Sequence, residues 1–89
     1  MYKDSLFFIK QFLQMFSCAE YQVLDEISQA KFIWIDGRHL SGRKTERLNV
    51  ELFVLYNFYV EIFFFKENDE PLYIKSFENI NHLKVYLEE

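Results

Sequence analysis

Very few side chains in this sequence are suited to chemistry, and their spacing limits what they could do. His39 and His82 are the only histidines and Cys18 is the only cysteine. Cys18 has no histidine near it in sequence to act as a base, so a buried, apolar thiol is the expected state. Asp36 and His39 stand three apart on a segment read as strand. A regular strand sends them to opposite faces, which does not suit an acid–base dyad. No Cys/His spacing matches a zinc site, and the two glycines, Gly37 and Gly42, make no nucleotide loop. No metal and no cofactor are therefore expected. Two carboxylates, Glu51 and Glu61, are read onto one aromatic-rich sheet face, where they would form an acid–base pair if they met. Wet or ion-paired carboxylates are the commoner outcome.

One segment concentrates positive charge. From Gly37 to Arg47, the residues Arg38, Arg43, Lys44 and Arg47 stand against Glu46. They give +3 in a chain of net charge −4, leaving −7 on the remainder. These four residues are the candidate anion-binding set, because guanidinium groups and loop N–H groups suit oxyanions. The acidic remainder opposes general binding to nucleic acid or to anionic membranes.

These groups must be positioned by apolar elements, and the chain is rich in them. It has 89 residues, 51% of them apolar and 20% aromatic, with eleven Phe, six Tyr and one Trp. That composition suits one folded domain spanning residues 1–89. A lone cysteine excludes an internal disulfide and fits a reducing compartment, and Lys3 and Asp4 form no basic leader. The cytoplasm is the expected location. No apolar stretch reads as a membrane-spanning helix.

The organising stretch is Leu48 to Phe65, rich in β-branched and aromatic residues and free of Gly and Pro. At 18 residues it is too long for one strand, and Asn57 divides it into a hairpin. The aliphatic set Leu48, Val50, Leu52 and Val54 is expected to share a face with Val60, Ile62 and Phe64. That register requires an odd-length loop or a bulge, and it keeps Glu61 away from the aliphatics. The opposite face then carries Asn49, Glu51, Phe53, Leu55, Tyr59, Glu61, Phe63 and Phe65.

Upstream, Leu6, Ile9, Phe12, Leu13 and Phe16 predict a helix over residues 4–16. Ser17 and Glu20 form a capping-box pattern that starts a second helix, from 18 to 29, unless one bent helix runs through Ser17. Lys31 to Leu40, centred on Phe32-Ile33-Trp34-Ile35, reads as the first strand, with Ser41-Gly42 as its hairpin tip. Downstream, residues 66–71 form a polar turn and Leu72 to Lys75 an edge strand. Ser76 then caps a last helix from Phe77 to about Glu88.

The predicted fold is thus α+β: an N-terminal helix or helix pair, a four-stranded antiparallel meander and a short C-terminal helix. This order resembles the double-stranded RNA-binding domain in topology. That family opens its last helix with a basic cluster, however, and residues 76–80 contain no Lys or Arg. RNA-recognition motifs share an aromatic sheet face, but their glycine-rich motif is absent. The function expected is a non-catalytic interaction or structural module acting as a homodimer. Its candidate interface is Trp34, Phe53, Tyr59, Phe63 and Phe65, with the first helix as a competing surface. The alternatives are an anion or nucleic-acid binder using the 38–47 tip, and a small enzyme using Glu51, Glu61 or His39.

Overall fold

The computed structural model describes residues 16–87. The helix expected over 4–16 lies outside them, apart from Phe16. Two helices, α1 (Cys18–Gln22) and α2 (Glu26–Asp36), precede four strands. These are β1 (Arg38–Lys44), β2 (Leu48–Leu55), β3 (Phe58–Phe65) and β4 (Pro71–Phe77). A 3-10 turn over Ile80–Leu83 leads into the short helix α3 (Lys84–Leu87). The sheet is an antiparallel meander in the order β1-β2-β3-β4. The fold is α+β, as the sequence predicts.

Capping places the first two helices. Ser17 Oγ accepts the Glu20 N–H at 3.1 Å, and Glu20 Oε1 accepts the Ser17 N–H at 3.0 Å. This capping box satisfies two orphan donors at once. The helix expected over 18–29 is in fact two. It breaks after Gln22, and Asp25 starts α2 by accepting the Ser28 N–H at 2.7 Å. That bond holds the Asp25 carboxyl below the ordinary carboxylate range, because it favours the charged form.

The strand expected over Lys31–Leu40 is a correction. Phe32 to Ile35 belong to α2, and strand begins only at Arg38. Four consecutive apolar residues fit either a buried strand or a helix, so flanking signals decide. Here the Asp25 cap opens a helix and Gly37 closes it. The Gly37 N–H donates to the Ile33 carbonyl at 2.8 Å, and a Cβ at position 37 would stand 2.5 Å from that oxygen. Burial follows the helical period: Gln29, Phe32 and Ile33 are buried, whereas Trp34 is exposed.

The hairpin tips also differ from expectation. Ser41-Gly42 lies within β1, and the turn falls at 45–47, where Thr45 Oγ1 accepts the Leu48 N–H at 3.0 Å. The β2–β3 loop has two residues, Tyr56 and Asn57, and pairs Leu55 with Phe58. It is neither odd-length nor bulged. Tyr56 takes the left-handed conformation (φ 59°), which is costly for a residue with a bulky side chain. Its hydroxyl donates to Asp36 Oδ2 at 2.6 Å, and its ring meets Phe58 and Phe16, so the strain is held by contacts.

That loop sets the register opposite to the one expected. Leu52 pairs with Glu61 and Val50 with Phe63, so Leu48, Val50, Leu52 and Val54 share a face with Tyr59, Glu61, Phe63 and Phe65. The other face carries Asn49, Glu51, Phe53, Leu55, Phe58, Val60, Ile62 and Phe64. On this second face sits the main core: Cys18, Tyr21, Phe32, Ile33, Leu55, Phe58 and Val60. Each fully buried aromatic here contributes about 2–3 kcal/mol from area. Tyr21 and Gln29 lock the two helices together. The Tyr21 hydroxyl donates to the Gln29 carbonyl at 2.7 Å, and Gln29 Nε2 donates to the Tyr21 carbonyl at 2.9 Å.

The chain's end differs as well. Pro71 opens β4, the place a proline suits on an edge strand, but Phe77 is strand rather than helix, buried and stacked on Tyr59. The cap is Asn79, whose Oδ1 accepts the Asn81 N–H at 2.9 Å, rather than Ser76. Burial of Phe77 in the ladder holds the chain extended past Ser76.

Candidate functional site

Glu51 and Glu61 do not meet. They are paired with Ile62 and Leu52 respectively, which puts them on opposite faces of the sheet. The two-carboxylate acid–base pair is thereby excluded.

Glu61 is 4% exposed among Val50, Leu52 and Phe63, the arrangement that sequence reasoning rejected as costly. Its partners explain how it survives there. Arg43 Nη2 donates to Glu61 Oε2 at 3.3 Å, and the Tyr86 hydroxyl donates to the same oxygen at 2.5 Å. The Arg43 guanidinium lies 5.5 Å from the Tyr86 ring centroid and 5.8 Å from that of Phe63. Burial and the bond to Glu61 push the Tyr86 phenol up from its ordinary value, because both favour the neutral form. This cluster fastens α3 to the sheet. Its carboxylate is thus enclosed by donors from the chain itself.

His39 and Glu51 do come together, a pairing that sequence reasoning did not consider: His39 pairs with Phe53, two residues from Glu51 on the same face of β2. The β1 register shifts between His39 and Ser41, and His39 Nε2 lies 2.6 Å from Glu51 Oε1. Glu51 reaches across β1 over Gly42, its cross-strand partner. A Cβ on residue 42 would stand 3.0 Å from that carboxylate oxygen. The Phe53 ring meets the imidazole edge-on at 5.3 Å. Such a pair can orient an imidazole. The open hollow beside it, however, is lined by Gly42, Arg43, Lys44, Asn49 and Glu51, none of which offers a hydroxyl or thiol nucleophile. Cys18 is buried in the main core, where burial pushes its thiol up and keeps it protonated. Among the described residues, no three His, Cys, Asp or Glu side chains converge in a way that could hold a metal.

The candidate anion set is divided. Arg38, Lys44 and Arg47 are exposed, while Arg43 is turned into the Glu61 cluster. The four cations therefore do not form one cradle.

The candidate interface set is divided too. Phe53 packs against the main core, and Tyr59, Phe63 and Phe65 lie on the other face of the sheet. Phe63 is buried and stacked on Tyr73 at 4.3 Å, and Phe65 is only 38% exposed. Trp34, on α2, is 89% exposed. Exposed apolar side chains stand on and beside α2, and also at Ile80 and Leu87 near the end of the chain. Val23 is 84% and Ile27 80% exposed. Ile27, Ala30 and Trp34 recur at helical spacing, on the side of α2 away from Phe32 and Ile33. Beside Ile27 and Ala30 runs a groove of about 350 Å³, floored by Ile62, Phe64, Leu72 and Ile74, with Glu26 at its polar edge. Sequence reasoning missed it because assigning residues 31–35 to a strand hid the stripe that begins at Ile27.

Among the described residues, no helix is long and apolar enough to cross a membrane. No protein-family model, no curated protein and no solved structure matches this chain.

Proposed function

We propose that this chain is a non-catalytic protein-interaction module whose partner is a second copy of itself. One observation carries this reading: an exposed apolar stripe on α2, including Ile27 and Trp34, borders an apolar groove between α2 and β4. Contiguous exposed apolar surface of this kind usually marks a partner site. Trp34 alone exposes on the order of 200 Å², and Val23, Ile27 and Leu72 extend the surface. A stable interface needs about 800 Å² from each partner. The stripe and groove together make a fair start on that area.

A second copy is favoured because ridge and groove adjoin each other, α2 carrying the ridge and forming one wall of the groove. A twofold axis can then satisfy both halves of the interface at once, and twofold dimers are the commonest assemblies. The test is molar mass by light scattering, for the natural chain and for Ile27→Glu. A two-chain mass that drops to one chain in the variant, with unchanged circular dichroism, supports the proposal. A one-chain mass for the natural protein at tens of micromolar overturns it.

A further inference from the structure

Resting on that reading, we infer that the two copies join by reciprocal insertion: Trp34 of each enters the groove between α2 and β4 of the other. The spacing on α2 carries the argument. Ile27 and Trp34 are seven residues apart, two helical turns, or about 10 Å along the axis. Ala30 lies between them on the same side and leaves low relief there. A twofold axis perpendicular to α2 near Ala30 reverses the helix. It therefore sets Trp34 of one chain opposite Ile27 of the other, at the groove's rim.

The groove suits that occupant. Its volume of about 350 Å³ accommodates one indole, and its lining is aliphatic and aromatic. A buried indole N–H requires an acceptor. Glu26 supplies a carboxylate at the groove's edge, one residue before Ile27. A large aromatic anchor seated in a preformed pocket is the usual form of an interface hot spot. The β1 edge does not compete as a self-association site. Pairing it with its own copy about Ser41 would set Arg38 against Lys44 and His39 against Arg43, with a register irregularity between His39 and Ser41.

Trp34 is the only tryptophan in the chain, so its own fluorescence reads the insertion. Emission and molar mass are measured together across a dilution series. On association the indole leaves water, so the expected result is a blue shift that tracks the rise from one-chain to two-chain mass. Trp34→Ala is expected to weaken association by about thirtyfold or more. Leu72→Glu, at an exposed groove position, is expected to abolish both signals while circular dichroism stays unchanged. Glu26→Ala is expected to weaken association less than Trp34→Ala does. A dimer whose Trp34 emission stays that of a water-exposed indole overturns the insertion and leaves the dimer standing. So does a Leu72→Glu dimer with the blue shift intact. A chain that stays monomeric overturns both.

Discussion

Removing Arg43 tests how the sheet tolerates a buried carboxylate. In Arg43→Met the aliphatic bulk remains and the charge goes. Glu61, 4% exposed, then keeps the Tyr86 hydroxyl alone of its two hydrogen-bond donors among the described residues. Breaking one side of a buried ion pair costs about 3–5 kcal/mol, because the remaining charge is stranded. The Arg43 side chain is 19% exposed and its contact is 3.3 Å, so water screens part of the loss. The lower end, about 3 kcal/mol, is expected. That is a large share of the roughly 5–15 kcal/mol by which such chains are stable. The triple change Arg43→Met, Glu61→Leu, Tyr86→Phe removes every polar member together. It should recover most of the loss, since apolar replacement of a buried ion pair is often neutral or stabilising. Urea unfolding followed by circular dichroism gives both values, provided the denaturant slope is unchanged. A cost below about 1 kcal/mol for Arg43→Met would mean that the pair behaves as an exposed one, and would refute the reasoning.

Other outcomes follow from close contacts and buried phenols. Gly37→Ala drives a Cβ to 2.5 Å from a backbone carbonyl, so a loss of about 1–3 kcal/mol is expected. Gly42→Ala meets only the movable end of Glu51 at 3.0 Å, and thermal unfolding should show a much smaller loss. Equal losses would remove the distinction. Tyr21, Tyr56 and Tyr86 all have phenols pushed up, with burial the largest cause in each case. The unfolded chain ionises them near the ordinary value of 10.0, which the folded chain resists. The stability they confer is therefore complete below that pH and lost as pH rises above it. Unfolding titrations monitored by phenolate absorbance should show a steep fall on the alkaline side. Stability that is flat across that range would contradict the assignment.

Much of the fold is legible locally. Ser17 and Glu20 announce a helix start, and Leu48 to Phe65 announces a hairpin through composition alone. What escapes local reading depends on distant partners. Glu61 looks too costly to bury until Arg43, 18 residues away, and Tyr86, 25 residues away, are brought to it by the sheet and the last helix. Rejecting its burial forced an odd loop and reversed every side chain of one strand relative to the other. Tyr56 in a left-handed conformation hides the two-residue turn, because Gly or Asn is the usual signal there. Phe32-Ile33-Trp34-Ile35 fits either strand or helix, and the choice made the groove and the His39–Glu51 contact invisible. The odd-loop register groups Glu51 with Glu61, and Phe53 with Phe63, on faces that the true register separates.

The central claim is that the α2 face binds a second copy of the chain. Sedimentation equilibrium of the natural protein across a wide concentration range tests it most directly. The account predicts a mass that rises from one chain to two and stops there, as a closed twofold interface requires. A mass fixed at one chain throughout, or one that climbs past two without a plateau, would contradict it.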